Sequence, residues 1–399
     1  MATTQPQPLS ENPQVLPGAS SKGKRESMPF LDLKAQFASI REEVLKAVEG
    51  VFESQNFILG KEVQLLEQEL RNYIGTEEAV GCASGSDALY LALLALHIGR
   101  GDEVITTPFT FVATAGAIAR TGAKPVFVDI DPATFNIDPS LIEAAITERT
   151  RAIIPVHLFG LSADLDPILR IAQQHNLAVV EDAAQAIGAT YKGRQIGSLG
   201  ICGCFSFFPS KNLGCAGDGG VVVSTDAQIA DELRLLRAHG SRKKYQYEII
   251  GTNSRLDALH AAVLRVKLPY LKSWADKRAE HADFYRELFA KEQLDNLIEL
   301  PIAPDSDTHV YNQFVVRAAH RDELRSFLDA EGVATDVYYP SPLHVQPAFS
   351  YLGYSQGSFP QSERASTQVL ALPIYPELTQ SAQERVVRTI SDFYSSNPQ

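Results

Sequence analysis

Two stretches decide how this chain is read: Val179–Ala189, VVEDAAQAIGA, and Phe205–Gly220, FSFFPSKNLGCAGDGG. In the first, a short apolar run ends on the acid pair Glu181-Asp182 and passes into an alanine-rich turn. In the second, one cation, Lys211, stands among Phe205, Phe207, Phe208 and Pro209, and Gly214, Gly217, Gly219 and Gly220 follow it. A lysine is ordinarily a solvated surface charge. Apolar neighbours desolvate it, lower its pKa and free the neutral amine that attacks a carbonyl. The glycines imply a tight, irregular loop that brings backbone close to a site. An acid at the end of an apolar strand lies where open parallel sheets form their active sites.

Lys211 and Asp182 together are the residue types that pyridoxal phosphate (PLP) chemistry requires. The amine forms a Schiff base with the cofactor aldehyde, and the carboxylate keeps the pyridine nitrogen protonated. Asp182 can equally be read as an N-cap for the turn after it. The phosphate needs a third element. Ser84-Gly85-Ser86 lies between an apolar strand, Ala79–Ala83, and a helix, Ala88–Leu96, where free N–H groups and the helix dipole favour an anion. A Gly-Ser pair there is also an ordinary cap. Ser206 offers a second hydroxyl. Phe109 and Phe111 follow the strand Glu103–Thr106, and either can stack on the cofactor face or simply fill the core.

Around these stretches, helical and strand periods alternate. Helices are predicted over Asp32–Gly50, Glu62–Ile74, Ala113–Thr121, Pro167–His175 and Ala227–Arg237, and further strands over Pro125–Val128, Ile153–Val156, Ala178–Val180 and Val221–Ser224. Continuous apolar strands suit a parallel sheet buried on both faces, so the expectation is an α/β layered domain. Near Leu268-Pro269 the pattern changes to a long charged helix, Tyr270–Lys291, and a smaller α+β segment. Its strand candidates are His309–Val316 and Ala334–Tyr338, and it ends in a helix over Gln380–Ser395. Residues 1–27 are too poor in large apolar side chains to order themselves, and Met28 is a candidate start. The expected division is a disordered tail (1–27), a large α/β domain (28–269) and a smaller α+β domain (270–399).

Of 399 residues, 45% are hydrophobic and 21% charged, and the formal net charge is −12. That balance argues against a nucleic-acid partner, which wants a basic face. No apolar run approaches the ~18 residues of a membrane helix. Cys202-Gly-Cys204 lacks the second close pair or nearby His of a zinc set, so Cys82, Cys202, Cys204 and Cys215 are read as buried thiols and no metal is expected. With no secretory h-region, a cytoplasmic location with reduced thiols is expected.

Taken together, the motifs Asn56-Phe57-Ile58-Leu59-Gly60, ASGSDAL, TPFTFVATA, VEDAAQAIGA, FSFFPSKNLG with GDGG, and Gly251–Leu256 resemble the DegT/StrS family of PLP-dependent nucleotide-sugar aminotransferases, of fold type I. The likeness runs from about Phe30 to the end. It implies a mostly parallel central sheet flanked by helices, with a smaller C-terminal domain. It implies Lys211 as the Schiff-base lysine, Asp182 on the pyridine nitrogen, Gln185 on the ring hydroxyl and Phe111 stacked on the ring, with Gly85, Ser86 and Ser206 around the phosphate. Asn253 would reach the phosphate held by a second copy, which implies a homodimer with sites at the interface. The implied reaction moves an amino group from an amino acid, typically L-glutamate, to a nucleotide-linked ketosugar. Dehydratase relatives carry His in place of the lysine, so Lys211 favours transamination. The segment DVYYPSPLHVQPAF (Asp336–Phe349) resembles the subgroup acting on 3-keto sugars, either UDP-2-acetamido-3-keto-glucuronate or a dTDP-3-keto-6-deoxyhexose. Arg255, Tyr339 and His344 are then substrate-contact candidates, against the plainer readings of a structural ion pair for Arg255 and a loop cap for His344. A non-catalytic PLP-binding regulator and a PLP-dependent dehydratase are the alternatives.

Overall fold

Strand residues alternate between two cores in a computed structural model, which describes residues 27–302, 304 and 306–396. The central sheet contains β1 (Glu78–Cys82), β2 (Glu103–Thr106), β3 (Lys124–Phe127), β4 (Thr150–Ile153), β5 (Ala178–Asp182), β6 (Cys202–Ser206) and β7 (Gly220–Ser224), in the order β1-β7-β6-β5-β4-β2-β3. Val104, Val180 and Val222 face one core, with α3 (Gly85–Ala95), α4 (Val112–Thr121) and α6 (Ala227–Leu236). Ile105, Val179, Val221 and Val223 face the other, with α2 (Lys61–Ile74), α5 (Leu165–His175) and α7 (Ala258–Lys267). Successive side chains on a strand point to opposite faces, so apolar residues at consecutive positions require helices on both sides.

β2, β3, β4, β5 and β6 pair in parallel. β7 runs opposite to both its neighbours, pairing antiparallel with β6 and β1. The reason lies in the connection. Phe207 N donates to Gly219 O and Cys215 N donates to Phe207 O, both at 2.8 Å, so the chain after β6 folds back on itself without a crossover helix. Only an antiparallel strand can follow such a return. That closed loop carries Lys211.

Local chemistry sets the helix ends. Asp32 caps α1 (Leu33–Ser54) by accepting from Lys34 N at 3.0 Å and Ala35 N at 2.9 Å. Gly75, at φ 79°, ends α2 in the left-handed conformation that glycine adopts freely. The strand predicted over Ile153–Val156 is displaced. The ladder ends at Ile153, and the chain stays extended beyond it through single bonds such as Ile154 N to Ile105 O, 2.8 Å.

After α7 the long helix α8 (Leu271–Lys291) leads to a three-stranded antiparallel sheet of β8 (Ile298–Glu299), β9 (Phe314–Ala318) and β10 (Val369–Leu372), with α9 (Arg321–Ala330), α10 (Pro360–Gln368) and α11 (Gln380–Ser396). Sequence reading missed β10. Of the strand predicted over His309–Val316 the structure keeps Phe314–Val316, inside β9; the one predicted over Ala334–Tyr338 has no ladder and one bridge, Asp336 to Ala371. His309–Asn312 is instead an irregular segment docked on the central unit. Met28 pairs with Val333, so the first described residues join this C-terminal region. The expected tail, apart from Ser27, lies outside the described residues. All four cysteines are free and buried.

Candidate active site

The site residues converge because the C-terminal ends of β1, β2, β5 and β6 meet the start of the reversed β7 at one end of the sheet. Asp182 is the last residue of β5, paired beside Cys204 of β6. Its carboxylate is buried. Oδ2 accepts from Thr114 Oγ1 at 2.7 Å and Oδ1 from Ala184 N at 3.2 Å. Burial pushes the Asp182 pKa up, while Thr114, Ala184 N–H, Lys211 and His157 work in the opposite direction. Burial of the Lys211 amine lowers its pKa to about 8, with the Asp182 charge holding it from falling further. A minor but usable fraction of the amine is therefore neutral near pH 7, far more than for an exposed lysine, as nucleophilic attack on a carbonyl demands.

The phosphate cradle is built from close approaches. Ser84 caps α3 by accepting from Asp87 N at 3.1 Å, and the Gly85 and Ser86 N–H groups at the helix start have no intrahelical acceptor. A Cβ on Gly85 would stand 2.5 Å from Ser206 Cβ and 3.0 Å from Ser206 Oγ. A Cβ on Gly220 would stand 2.4 Å from Ser84 O. Gly85 and Gly220 thus let three chain segments close on one point, with the Ser206 hydroxyl and the free N–H groups of the α3 start there. This donor set is what a phosphate monoester wants.

Phe109 and Phe111 are now distinguished. Phe109 is fully buried against Phe135 and Tyr339, whereas Phe111, at the start of α4, is 55% exposed with its ring 6.4 Å from that of Tyr339. Phe111 is the one available to cover a ring. Gln185 has both ends engaged. Its Oε1 accepts from Phe159 N at 2.7 Å and its Nε2 donates to the Tyr339 hydroxyl at 3.2 Å. Tyr339, from the C-terminal region, therefore belongs to the cluster around Asp182. These residues fit PLP: an amine for the aldehyde, a buried carboxylate for the ring nitrogen, an exposed aromatic for the ring face and a cradle for the phosphate.

Three candidates lie apart from that cluster. Ser254 is buried and accepts from Ala83 N at 3.2 Å, which turns Asn253 outward to an exposed position. Arg255 is half-buried and makes no ion pair among the described residues. His344 differs from the expectation of a substrate contact. Its ring is fully covered, Nε2 lies 2.9 Å from Glu363 Oε1, and it packs edge-on to Phe359. Its Nε2 bond to Glu363 and its packing on Phe359 fit the plainer reading of a loop-holding residue better, although its buried Nδ1 has no partner among the described residues.

Sequence reading missed Thr114, although the threonine stands one helical turn after Phe111 inside the quoted TPFTFVATA. It also missed the pair behind Asp182. His157 Nδ1 accepts from Ala163 N at 3.0 Å, so the ring proton sits on Nε2 and is donated to Glu181 at 3.1 Å. Glu181 also accepts from the N–H groups of Gly197, Leu199 and Gly200. Burial opposes its charge, but His157 and these N–H groups hold it below the usual carboxylate range. Nothing in the local sequence marks partners so far apart in the chain.

Residues 38–391 match the model of the DegT/DnrJ/EryC1/StrS aminotransferase family. The chain is 50% identical over 368 residues to the "Pleiotropic regulatory protein" of Geobacillus stearothermophilus, covering 92% of this chain and 99% of the relative. It is 47% identical to the UDP-N-acetyl-3-dehydro-alpha-D-glucosamine 3-aminotransferase of Acidithiobacillus ferrooxidans (91% and 97% covered). It is 46% identical to the dTDP-3-amino-3,4,6-trideoxy-alpha-D-glucose transaminase of Streptomyces venezuelae (94% and 98% covered). The crystal structure of S. venezuelae DesV superposes with a TM-score of 0.90 at 46% identity, over 92% of this chain and 99% of that one. NtdA of Bacillus subtilis, solved with bound cofactor PMP, superposes at 0.85 and 33% identity (92% and 86%). The chain belongs to the DegT/DnrJ/EryC1/StrS aminotransferase family. It is a PLP-dependent aminotransferase.

Proposed function

We infer that this chain moves the amino group of an amino acid, with L-glutamate the expected donor, to the C3 keto carbon of a nucleotide-linked sugar. The observation that carries this is the Lys211 amine, brought to a pKa of about 8 beside the buried carboxylate of Asp182. When bound, PLP supplies the electrophilic aldehyde and the ring that takes up the electrons left by Cα deprotonation. Lys211 would hold that aldehyde through its amine, and its Nζ, when free, is the group placed to take the proton from the donor Cα. Asp182 would hold the proton on the ring nitrogen, Gln185 would meet the ring hydroxyl through its remaining amide proton and Phe111 would cover the ring. Gly85, Ser86 and Ser206 bind the phosphate, joined by Asn253 from a second copy.

The sugar we assign is a 3-keto sugar, either UDP-2-acetamido-3-keto-glucuronate or a dTDP-3-keto-6-deoxyhexose. The 3-amino products and substrates in the names of the 47% and 46% relatives support it. Arg255, free of any ion pair among the described residues, is available for a sugar carboxylate, and a bidentate guanidinium suits that group. Tyr339 lies close enough to the Asp182 cluster to meet sugar hydroxyls. We further read the protein as a cytoplasmic homodimer serving amino-sugar and polysaccharide biosynthesis, with its PLP-binding domain over 28–269 and its smaller domain over 270–399. Exposed Phe37, Leu45 and Phe52 on α1, and Ile58 beyond it, support a self-contact. Among the described residues no helix is long and apolar enough to cross a membrane.

The test is purified protein with PLP and L-glutamate. Wild type is expected to release 2-oxoglutarate with a change in cofactor absorbance, and Lys211→Ala to do neither. A panel of UDP- and dTDP-linked 3-keto and 4-keto sugars then reads the acceptor, and acceptance of 4-keto sugars alone overturns the 3-keto assignment. The name of the 50% relative favours one other reading, a PLP-binding regulator without turnover. A wild-type spectrum inert to a range of amino donors would support that instead.

A further inference from the structure

Asp182 has to stay ionised in a site that works against its charge. Its two oxygens receive one backbone N–H, from Ala184, and one side-chain donor, Thr114. Thr114 Oγ1 lies 2.7 Å from Asp182 Oδ2 and 3.3 Å from Phe111 O, so its single proton goes to the carboxylate. Thr110 Oγ1 lies 3.1 Å from Thr114 Oγ1. With the Thr114 proton committed to Asp182, the Thr110 hydroxyl is the donor of that second bond. All three side chains are buried. The result is a directed chain, Thr110 to Thr114 to Asp182, starting in the loop before α4 and ending on β5.

We propose that Thr114, supported by Thr110, is a positioning residue for the reaction, holding Asp182 ionised and oriented toward the cofactor ring nitrogen. The argument is geometric. A donor to a carboxylate stabilises the charged form, and a donor that is itself hydrogen-bonded is polarised further. Thr114 is the third residue of α4, so its bond also brings Asp182 to a helix N-terminus, where the backbone dipole favours an anion. Because Phe111 directly precedes α4, one short segment sets both the ring cover and the ring-nitrogen partner. The other charged and titratable groups around Asp182 are Lys211 and His157, which favour its charge, and Cys204, Tyr339 and the adjacent Glu181, which do not. None of these donates a hydrogen bond to the carboxylate.

The experiment uses holoenzyme variants Thr114→Val, Thr114→Ser and Thr110→Val. It reads PLP affinity and the pH midpoint of the bound cofactor's visible absorbance, neither of which depends on the sugar. Thr114→Val removes a hydrogen bond to a charged group, so PLP affinity is expected to fall roughly ten- to a hundredfold. Asp182 then titrates higher and holds the ring proton less firmly. Losing that positive charge makes Lys211 Nζ, in its bond to the cofactor, more basic, so the absorbance midpoint moves up. Thr114→Ser keeps the hydroxyl and is expected to restore both. Thr110→Val is expected to move both in the same direction by a smaller factor, and it carries the test if Thr114→Val does not fold. The proposal is overturned if Thr110→Val or Thr114→Val leaves affinity and midpoint at wild-type values. It is equally overturned if Thr114→Ser is as impaired as Thr114→Val, since the methyl packing would then be what counts.

Discussion

Lys211 shows how little of a residue's chemistry is its own. Burial alone lowers its pKa, and Asp182 sets how far, leaving a value of about 8. The neutral amine is the reactive form. Covalent capture of PLP by cofactor-free protein is therefore expected to speed up as pH rises and to level off above about pH 8. Asp182→Asn removes the charge that raises the Lys211 pKa, so the midpoint should move to lower pH. Stopped-flow absorbance across pH 6 to ~10 checks this, and a midpoint that stays put or rises in Asp182→Asn contradicts the assigned pairing. The sign of the stability effect follows from the same shift. In cofactor-free protein the folded pKa lies below the unfolded one, near ~10.4. Between these values the unfolded chain binds more protons, so this group's contribution to stability rises with pH through that window.

At the scale of elements, the cradle depends on α3, β6 and β7 approaching more closely than side chains permit. Gly85→Ala places a methyl 2.5 Å from Ser206 Cβ, inside any real contact distance. Overpacking of this kind costs ~1–3 kcal/mol, and here the strain falls on the phosphate site. Gly85→Ala is expected to lower the urea midpoint and to weaken PLP binding about tenfold or more. Adding Ser206→Gly should recover stability but not affinity, because the hydroxyl is then gone. Equilibrium unfolding and PLP titration separate the two effects, and full recovery of affinity would show that Ser206 does not hold phosphate. The reversed β7 matters for the same reason. Its first residue, Gly220, sits against Ser84 O, so the strand that returns from the Lys211 loop also closes the cradle.

For the whole molecule, the site draws on both parts of the chain. Asn212 Nδ2 donates to Val310 O at 2.9 Å, Val310 N donates to Gly160 O at 3.0 Å and Gln185 donates to Tyr339, so the C-terminal region is stitched to the Lys211 and Gln185 segments. A proposed second copy adds Asn253. If sites are shared in that way, mixing Lys211→Ala with Asn253→Asp should yield heterodimers in which one site carries both defects and the other neither. Activity well above that of either variant alone is then expected after subunit exchange. Additive residual activity at every mixing ratio would argue that each chain is complete by itself.

Much of this was legible in the sequence, and the rest was not, for physical reasons. The alternation of helical and apolar periods determined an α/β sheet buried on both faces, because those periods are local properties of each segment. A lysine in aromatic company and an acid ending an apolar strand determined the chemistry, because desolvation by near neighbours is local too. The tertiary structure alone decided the direction of β7, which follows from how the Lys211 loop closes. It alone showed that Phe111 is exposed and Phe109 buried, since exposure depends on what packs from elsewhere. It alone committed His344 to Glu363, and gave Asp182 its donor Thr114 and Glu181 its donor His157, 68 and 24 positions away in the chain. Such pairs meet because strand order and loop closure bring their segments together, and no local pattern records where a distant segment will land.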